Sequence, residues 1–483
     1  MQNKVLRITI RIITVILAIV IIAGAVIFRA YDYGFNYDKG KDIPNKVELK
    51  DDGNNYDTIK AVGRGLYDKD GNRFNIKGVN FGNWLIQEGW MTVISMGAKY
   101  NKDGTYAKVN EDGIVEEYEE VFQEELDAAL QARVDSGEWT QEQLDALWDA
   151  YYDSYCQEQD FINIKELGLN TVRLPMYYRN FMEGPDDALV MREDAFERVD
   201  WFLEMAKKHG LFVILDMHGV VGGQSGFEHS GTRDNEFWDN EVYQQEMCTL
   251  WKKIALHYKN DRPDLAYTIL AYDLVNEPAT ATKSTGKKQW AVMDKMYDAI
   301  RSVDTEHVIS IEGVWYFNSL PDPKEYGWDN VLYQGHFYNW NNPTISFELF
   351  YTLMWQTLSM ADYDVPRYIG EFSFFNDEES WVKYLNLFDD MGFGWTFWSY
   401  KTISVGWWDS SWGLYVQKMN LSNKDKQGNL TITNDPTKDN LKLDVRTASY
   451  EELYDSWSKQ ETARCYEKEG MYSYIQKYNE SKK

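Results

Sequence analysis

Ala271-Tyr-Asp-Leu-Val-Asn-Glu-Pro278 decides the reading of this chain. Tyr272 to Val275 is largely apolar and stops at a proline that cannot continue a ladder, which reads as a short buried strand. An amide, Asn276, and an acid, Glu277, therefore stand where a strand ends. In a barrel of parallel strands that edge carries the chemistry. A lone Asn-Glu-Pro would equally serve as a cap before a turn. The second strand end, Tyr368-Ile-Gly-Glu371-Phe, shifts the balance, because it too stops on a carboxylate. Two glutamates at two strand ends of one barrel are the equipment for breaking a glycosidic bond.

Working outward, the period alternates between strand and helix. Phe74–Val79, Asn170–Pro175, Leu211–His218, Tyr267–Val275, His307–Glu312, Val331–Tyr338, Arg367–Glu371 and Gly394–Trp398 read as strands, with helical segments between most of them. This pattern indicates a (β/α)8 TIM barrel of the α/β class. Asp70-Gly71 between alternating runs signals a hairpin that closes the barrel floor. Residues 98–159 are dominated by Glu and Asp and read as a helical insertion after the first strand. In it, Thr140-Gln-Glu-Gln143 is a capping box placing Leu144, Leu147 and Tyr151 on one helix face. Lys418 to Asp444 reads as a polar surface loop, and Ser449-Tyr-Glu-Glu452 caps a last helix.

The N-terminus is organised differently. Lys4, Arg7 and Arg11 precede an uncharged apolar run, Ile12 to Phe28. Such a run meets the lower length for a bilayer-spanning helix, about 17 residues. The basic flank would stay cytoplasmic and the rest would be exported. Ala23-Gly-Ala25 has the form of a signal-peptide cleavage site, but apolar character continues past it, which favours an uncleaved anchor. The expected organisation is an anchor over 1–30, a polar tether over 31–56, a catalytic domain over 57–475 and a polar tail over 476–483. The catalytic domain would be extracytoplasmic at the cell membrane, or secreted if cleavage occurs.

Composition narrows the partners. The 483 residues carry a formal charge of −27, which repels nucleic acid and suits a neutral substrate. Aromatics make up 16 %, with 19 Trp and 34 Tyr, more than a core requires, as sugar-stacking surfaces demand. Cys156, Cys248 and Cys465 are too few for a disulfide framework and fit no zinc spacing.

Arg173, His218, Asn276, Glu277, His336, Tyr338, Glu371 and Trp398 crowd the strand ends, where buried polar groups need partners. Gly78-Val-Asn-Phe-Gly-Asn-Trp84, Asn170-Thr-Val-Arg173-Leu-Pro, Asp216-Met-His218-Gly, Asn276-Glu277-Pro278, His336-Phe-Tyr338, Gly370-Glu371-Phe and Trp395-Thr-Phe-Trp398 occur in order. As an ordered set over roughly residues 60 to 475 they resemble the family-five glycoside hydrolases of the cellulase superfamily. The resemblance implies a retaining mechanism on a β-linked polysaccharide or oligosaccharide, without cofactor or metal, in a chain expected to be a monomer. It makes Glu277 the acid/base and Glu371 the nucleophile, with Arg173 and Tyr338 holding Glu371 ionised. Asn276 would bind the sugar 2-OH, and His218 and His336 would bond sugar hydroxyls or the acid. Trp398 would lie under the cleaved ring, with Trp84 and Trp408 as further substrate contacts. Proximity of the two carboxylates should raise one pKa, as an acid at neutral pH needs.

Gly219-Val-Val-Gly-Gly-Gln-Ser-Gly226 lacks the ending of a phosphate loop. With Phe227-Glu-His229-Ser-Gly231 it resembles the loop of family members that act on β-glucans. Asp216, His218 and His229 form a weaker candidate metal set, set aside because the barrel already accounts for His218. A carbohydrate-binding protein on an inactive barrel is the reading from a different class, and the presence of both glutamates speaks against it.

Overall fold

The structure is a computed structural model that describes residues 42–49, 58–108, 117–278, 283–313, 320–338, 363–404, 412–424, 430–432, 440–467 and 469–482. Eight parallel strands close into a barrel: β1 (Lys77–Asn80), β2 (Thr171–Tyr177), β3 (Phe212–Gly219), β4 (Ile269–Asp273), β5 (Val308–Glu312), β6 (Val331–Tyr338), β7 (Arg367–Ser373) and β8 (Gly394–Phe397). These are the eight segments expected from the alternating period. Strands such as Phe212-Val-Ile-Leu and Val308-Ile-Ser-Ile are apolar almost throughout, because helices cover their outer faces and side chains fill the interior.

The Asp70-Gly71 turn joins strands Gly65–Tyr67 and Arg73–Phe74, and a third strand, Lys60–Val62, completes a small antiparallel sheet. Leu66 from this sheet packs with Ile214, Leu270, Val308 and Leu332 at the N-terminal ends of the barrel strands, so it is the barrel floor. Part of the expected tether docks there as well. Ile43 is buried, the Tyr67 hydroxyl donates to the Pro44 carbonyl, and Val47 N donates to the Gly71 carbonyl. Residues 42–49 are thus packed chain rather than free linker.

The insertion forms two helices, Gln123–Asp135 and Gln141–Tyr155, the second opened by the capping box of Thr140 and Gln143. Leu144, Leu147 and Tyr151 are buried on one face. The described residues of the expected polar loop over 418–444 are instead strands. Strands Lys401–Ser404, Tyr415–Lys424, Asn440–Asp444 and Ile94–Ser95 pair in parallel. Polar composition hid them, because Lys442 buries its stem yet bonds backbone carbonyls of Gly89 and Thr92. The chain end also differs from expectation. Residues from 476 continue a helix, Glu469–Glu480, whose buried Tyr478 meets Trp395 edge-on at 5.7 Å.

The three cysteines are free. The apolar run expected to span a membrane lies outside the described residues; among those described, no helix is long and apolar enough to cross one.

Candidate active site

Strand register brings the polar strand ends together. β6 and β7 pair so that His336 stands opposite Glu371, and β1 and β2 pair Asn80 with Arg173. Arg173 is fully buried and acts as a hub. Its Nη1 donates to Glu371 Oε1 at 2.8 Å and to Asn80 Oδ1 at 3.1 Å. Its Nε donates to Asp273 Oδ2 at 3.0 Å, and its Nη2 to Asn276 Oδ1 at 2.9 Å. A buried guanidinium is tolerable only with its donors satisfied, and here carboxylates and amides on several strands do that. Tyr338 Oη donates to Glu371 Oε2 at 2.7 Å, so each oxygen of that carboxyl has a donor.

Glu277 follows β4 with φ +41°, a left-handed conformation uncommon for a residue with a side chain. Its backbone N–H is held by Glu312 Oε2 at 2.8 Å. Its carboxyl meets His336 Nδ1 at 2.8 Å and His229 Nε2 at 3.4 Å. One oxygen of Glu277, one of Glu371 and a ring nitrogen of His336 all lie within 4.8 Å of one another.

The electrostatics depart from expectation. Burial alone would push the Glu277 carboxyl up, but His229 and His336 outweigh it and hold the group below the ordinary carboxylate range. Burial pulls the His336 imidazole down, yet Glu312, Glu371 and Glu277 raise it to about 9. The neighbouring carboxylate therefore does not raise Glu277, and the balance favours the proton on His336 between the acids. His218 behaves oppositely. Burial pushes it down to about 3, which leaves a neutral ring bonded through Nδ1 to Asp216 at 2.7 Å.

The other expected contacts divide. Asn276 and His218 lie beside Arg173 and each other, with Asn276 Nδ2 3.4 Å from His218 Nε2. Trp398 stacks on His218 at 5.6 Å and donates to the Met91 sulfur, with only 3 % of its surface exposed. Trp84 is not a substrate contact. It is buried, donates to the Tyr152 carbonyl and packs on Phe81, Trp201 and Phe202, because the turn after β1 carries it under the second helix of the insertion. Trp408 lies outside the described residues. Trp412, four residues further along the sequence, is buried against Trp90, Tyr338 and Phe375.

Several site residues escaped the sequence reading. Asp273 and Asn80 secure Arg173. Gln224 ties the glycine-rich loop down by donating to the carbonyls of His218 and Asn276. Glu312 ended a recognised strand on a carboxylate, the signal already used for Glu371. Glu88 lies four residues beyond the Gly78–Trp84 motif, and the sequence reading gives it no role. Its carboxyl accepts from Trp90 Nε1 at 3.1 Å, and burial, with Glu228 and Glu371 nearby, pushes it well above the usual range.

A family model described as Cellulase (glycosyl hydrolase family 5) matches residues 133–404, more than half of the chain. The chain is 28 % identical over 286 residues to a β-xylosidase of Phanerodontia chrysosporium, covering 58 % of this chain and 52 % of that protein. It is 29 % identical over 263 residues to the sporulation-specific glucan 1,3-β-glucosidase of Saccharomyces cerevisiae, covering 53 % and 52 %. The chain thus spans about half the length of these curated relatives. Among solved structures, the rutinosidase from Aspergillus niger shares the fold at a TM-score of 0.51 and 17 % identity, covering 70 % of this chain and 95 % of that one. Motif order, barrel and family model agree: this chain belongs to the cellulase family, glycosyl hydrolase family 5.

Proposed function

We propose that this protein is a retaining glycosidase that cleaves β-glucosidic bonds in β-glucans by double displacement. Glu371 is the nucleophile and Glu277 the acid/base. The observation that carries the reading is the approach of the two carboxyl groups, with oxygens within 4.8 Å. Retaining enzymes hold the pair about 5–5.5 Å apart, whereas inverting ones leave about 6.5–9.5 Å for a water. Arg173 and Tyr338 each donate to one oxygen of Glu371 and aim it at the anomeric carbon. Glu277 protonates the leaving oxygen and then deprotonates water. Because Glu277 and His336 are 2.8 Å apart, they titrate as a pair, and the proton for the leaving group is drawn from that pair.

Substrate choice follows from the relatives and the cleft. Proteins named glucan 1,3-β-glucosidase are among the curated relatives and support a β-glucan or a short gluco-oligosaccharide. Phe227, 61 % exposed beside the His229 that meets Glu277, offers an apolar face to a sugar ring near the acid/base. The Trp-rich stretch that holds Trp408, outside the described residues, supports a further stacking contact for rings beyond the cleavage point. The β-xylosidase relative gives a second reading, removal of xylose. The test is a panel of defined β-1,3- and β-1,4-glucans, mannan and xylo-oligosaccharides, with proton NMR of the first-formed anomer. Retained β-glucose from β-glucan is the expected result, and an inverted product removes the mechanism. The basic-then-apolar N-terminus supports an extracytoplasmic, membrane-held placement.

A further inference from the structure

Glu312 ends β5 inside the barrel, is buried, and touches the acid/base in two ways. Its Oε2 accepts from the Glu277 backbone N–H at 2.8 Å and from Gln334 Nε2 at 2.9 Å. Its Oε1 lies 3.4 Å from His336 Nε2, and neither of these two atoms has a hydrogen-bond partner elsewhere among the described residues. His336 presents its other nitrogen to Glu277. The three side chains therefore form one row, Glu312, His336, Glu277, opening at Glu277 onto the cleft.

We infer that Glu312 is a positioning residue for the acid/base, fixing which nitrogen of His336 keeps its proton and which gives it to Glu277. The inference rests on the assignment of Glu277 made above. With both ring nitrogens protonated, Glu312 and Glu277 are carboxylates and the row carries one net negative charge. The Nδ1 proton passes to Glu277 Oε1. The ring becomes neutral, its Nε2–H stays opposite the Glu312 carboxylate, and the net charge is unchanged. Glu277 then gives its proton to the leaving oxygen. Without an anion opposite Nε2, the single proton of a neutral ring remains on Nδ1, bonded to an ionised Glu277, and the acid is not loaded.

The groups facing Glu312 fit this role. Burial pushes the Glu312 carboxyl well above the usual range, with Glu277 and Asp273 adding to the rise, and it is the facing His336, with Arg173, that works against this and favours the carboxylate the row requires. Glu312 is also the first cause that raises His336. The backbone bond to Glu277 supplies the other half of the positioning, because it pins the residue at its left-handed φ.

The test compares phenyl and 2,4-dinitrophenyl β-glucosides on the full chain, together with Glu312→Gln, Glu312→Asp and Glu277→Ala. Glu312→Gln retains an acceptor for the Glu277 N–H but removes the anion. It should lower kcat/KM at least about tenfold on the phenyl substrate and little on the dinitrophenyl one, since only the poor leaving group needs a loaded acid. The alkaline limb of its pH profile should move to lower pH. Glu312→Asp, which keeps the charge, should fall between wild type and Glu312→Gln in both measures. Equal losses on both substrates, or an unmoved alkaline limb in Glu312→Gln, overturn the role of Glu312. Should Glu312→Gln fail to fold, Glu312→Asp decides by the same two measures. Glu277→Ala separates the two levels. If it shows the leaving-group dependence and the Glu312 variants do not, only the positioning role falls. If it shows none, the acid/base assignment itself falls.

Discussion

Tyr338 donates to Glu371 Oε2 at 2.7 Å from a place two residues beyond His336, whose Nδ1 meets Glu277 at 2.8 Å. One barrel strand thus serves both carboxyl groups, because alternate residues of a strand share a face. In the proposed mechanism, the division of labour between the two acids follows from which of these neighbours each one meets.

Glu371→Gln should abolish turnover without unfolding the protein, since the amide keeps the shape and loses the nucleophile. Glu277→Ala should lower kcat on natural substrates by roughly 10²–10⁴-fold and far less on activated aryl glycosides. Steady-state kinetics on both substrate types check the pair, and equal losses for Glu277→Ala count against its role.

The pH dependence follows from His336, raised to about 9. As pH climbs through that value, the Glu277–His336 pair loses the proton it would deliver. kcat/KM should therefore decline above about pH 9. The same shift bears on stability. The folded-state pKa lies above the unfolded value of about 6.5, so the contribution is complete below the unfolded pKa and disappears as pH rises through the folded one. Urea midpoints between pH 6 and 10 should fall across that window.

Phe227→Ala removes an exposed ring and should leave the melting temperature nearly unchanged. Loss of a sugar-stacking contact should lower kcat/KM on oligosaccharides about tenfold, equivalent to roughly 1.4 kcal/mol. Kinetics on a trisaccharide and on a methyl glycoside distinguish this from a uniform effect.

Trp412 and Trp408 should separate in the opposite sense. Trp412 is packed on Tyr338 and Trp90, so Trp412→Ala should cost about 3–5 kcal/mol of stability and disturb turnover of every substrate. Trp408→Ala should lower kcat/KM on polymer by at least about tenfold and spare a short aryl glycoside. Differential scanning calorimetry beside both assays tests the contrast.

The full chain should sediment with membranes. A chain shortened to begin at Asp42 should be soluble and fully active, because it retains Ile43 to Val47 against the floor hairpin. Beginning instead near Asp57 should lower the melting temperature. Fractionation and thermal melts of the two shortened forms check this.

The barrel was legible because period and patterning act locally: every strand is a short apolar run between helical stretches. Glu277, Glu371, Arg173, His336 and Tyr338 were legible because each terminates a strand or lies on its face in an ordered set of motifs. Trp84 was misread for the converse reason. A motif names a residue, but the insertion decides whether its ring faces the cleft or the core. The protonation of Glu277 was also beyond reach, since it depends on His229 and His336 arriving from separate parts of the chain. The strands within 415–444 were missed because their polar side chains imitate a solvated loop, and their partners are remote in sequence.

That remoteness bears on how the molecule assembles. Leu443 pairs with Ile94, and the buried Lys442 amine grips the carbonyls of Gly89 and Thr92 beside the Glu88 and Trp90 wall. Chain closures of this span are entropically slow and come late in folding. Seven of the eight barrel pairings join strands that are consecutive in the chain, and these can form while this closure, like that of β8 on β1, still waits. Refolding should therefore pass through a species with native barrel secondary structure but no activity, and recovery of turnover should lag behind recovery of the far-ultraviolet signal.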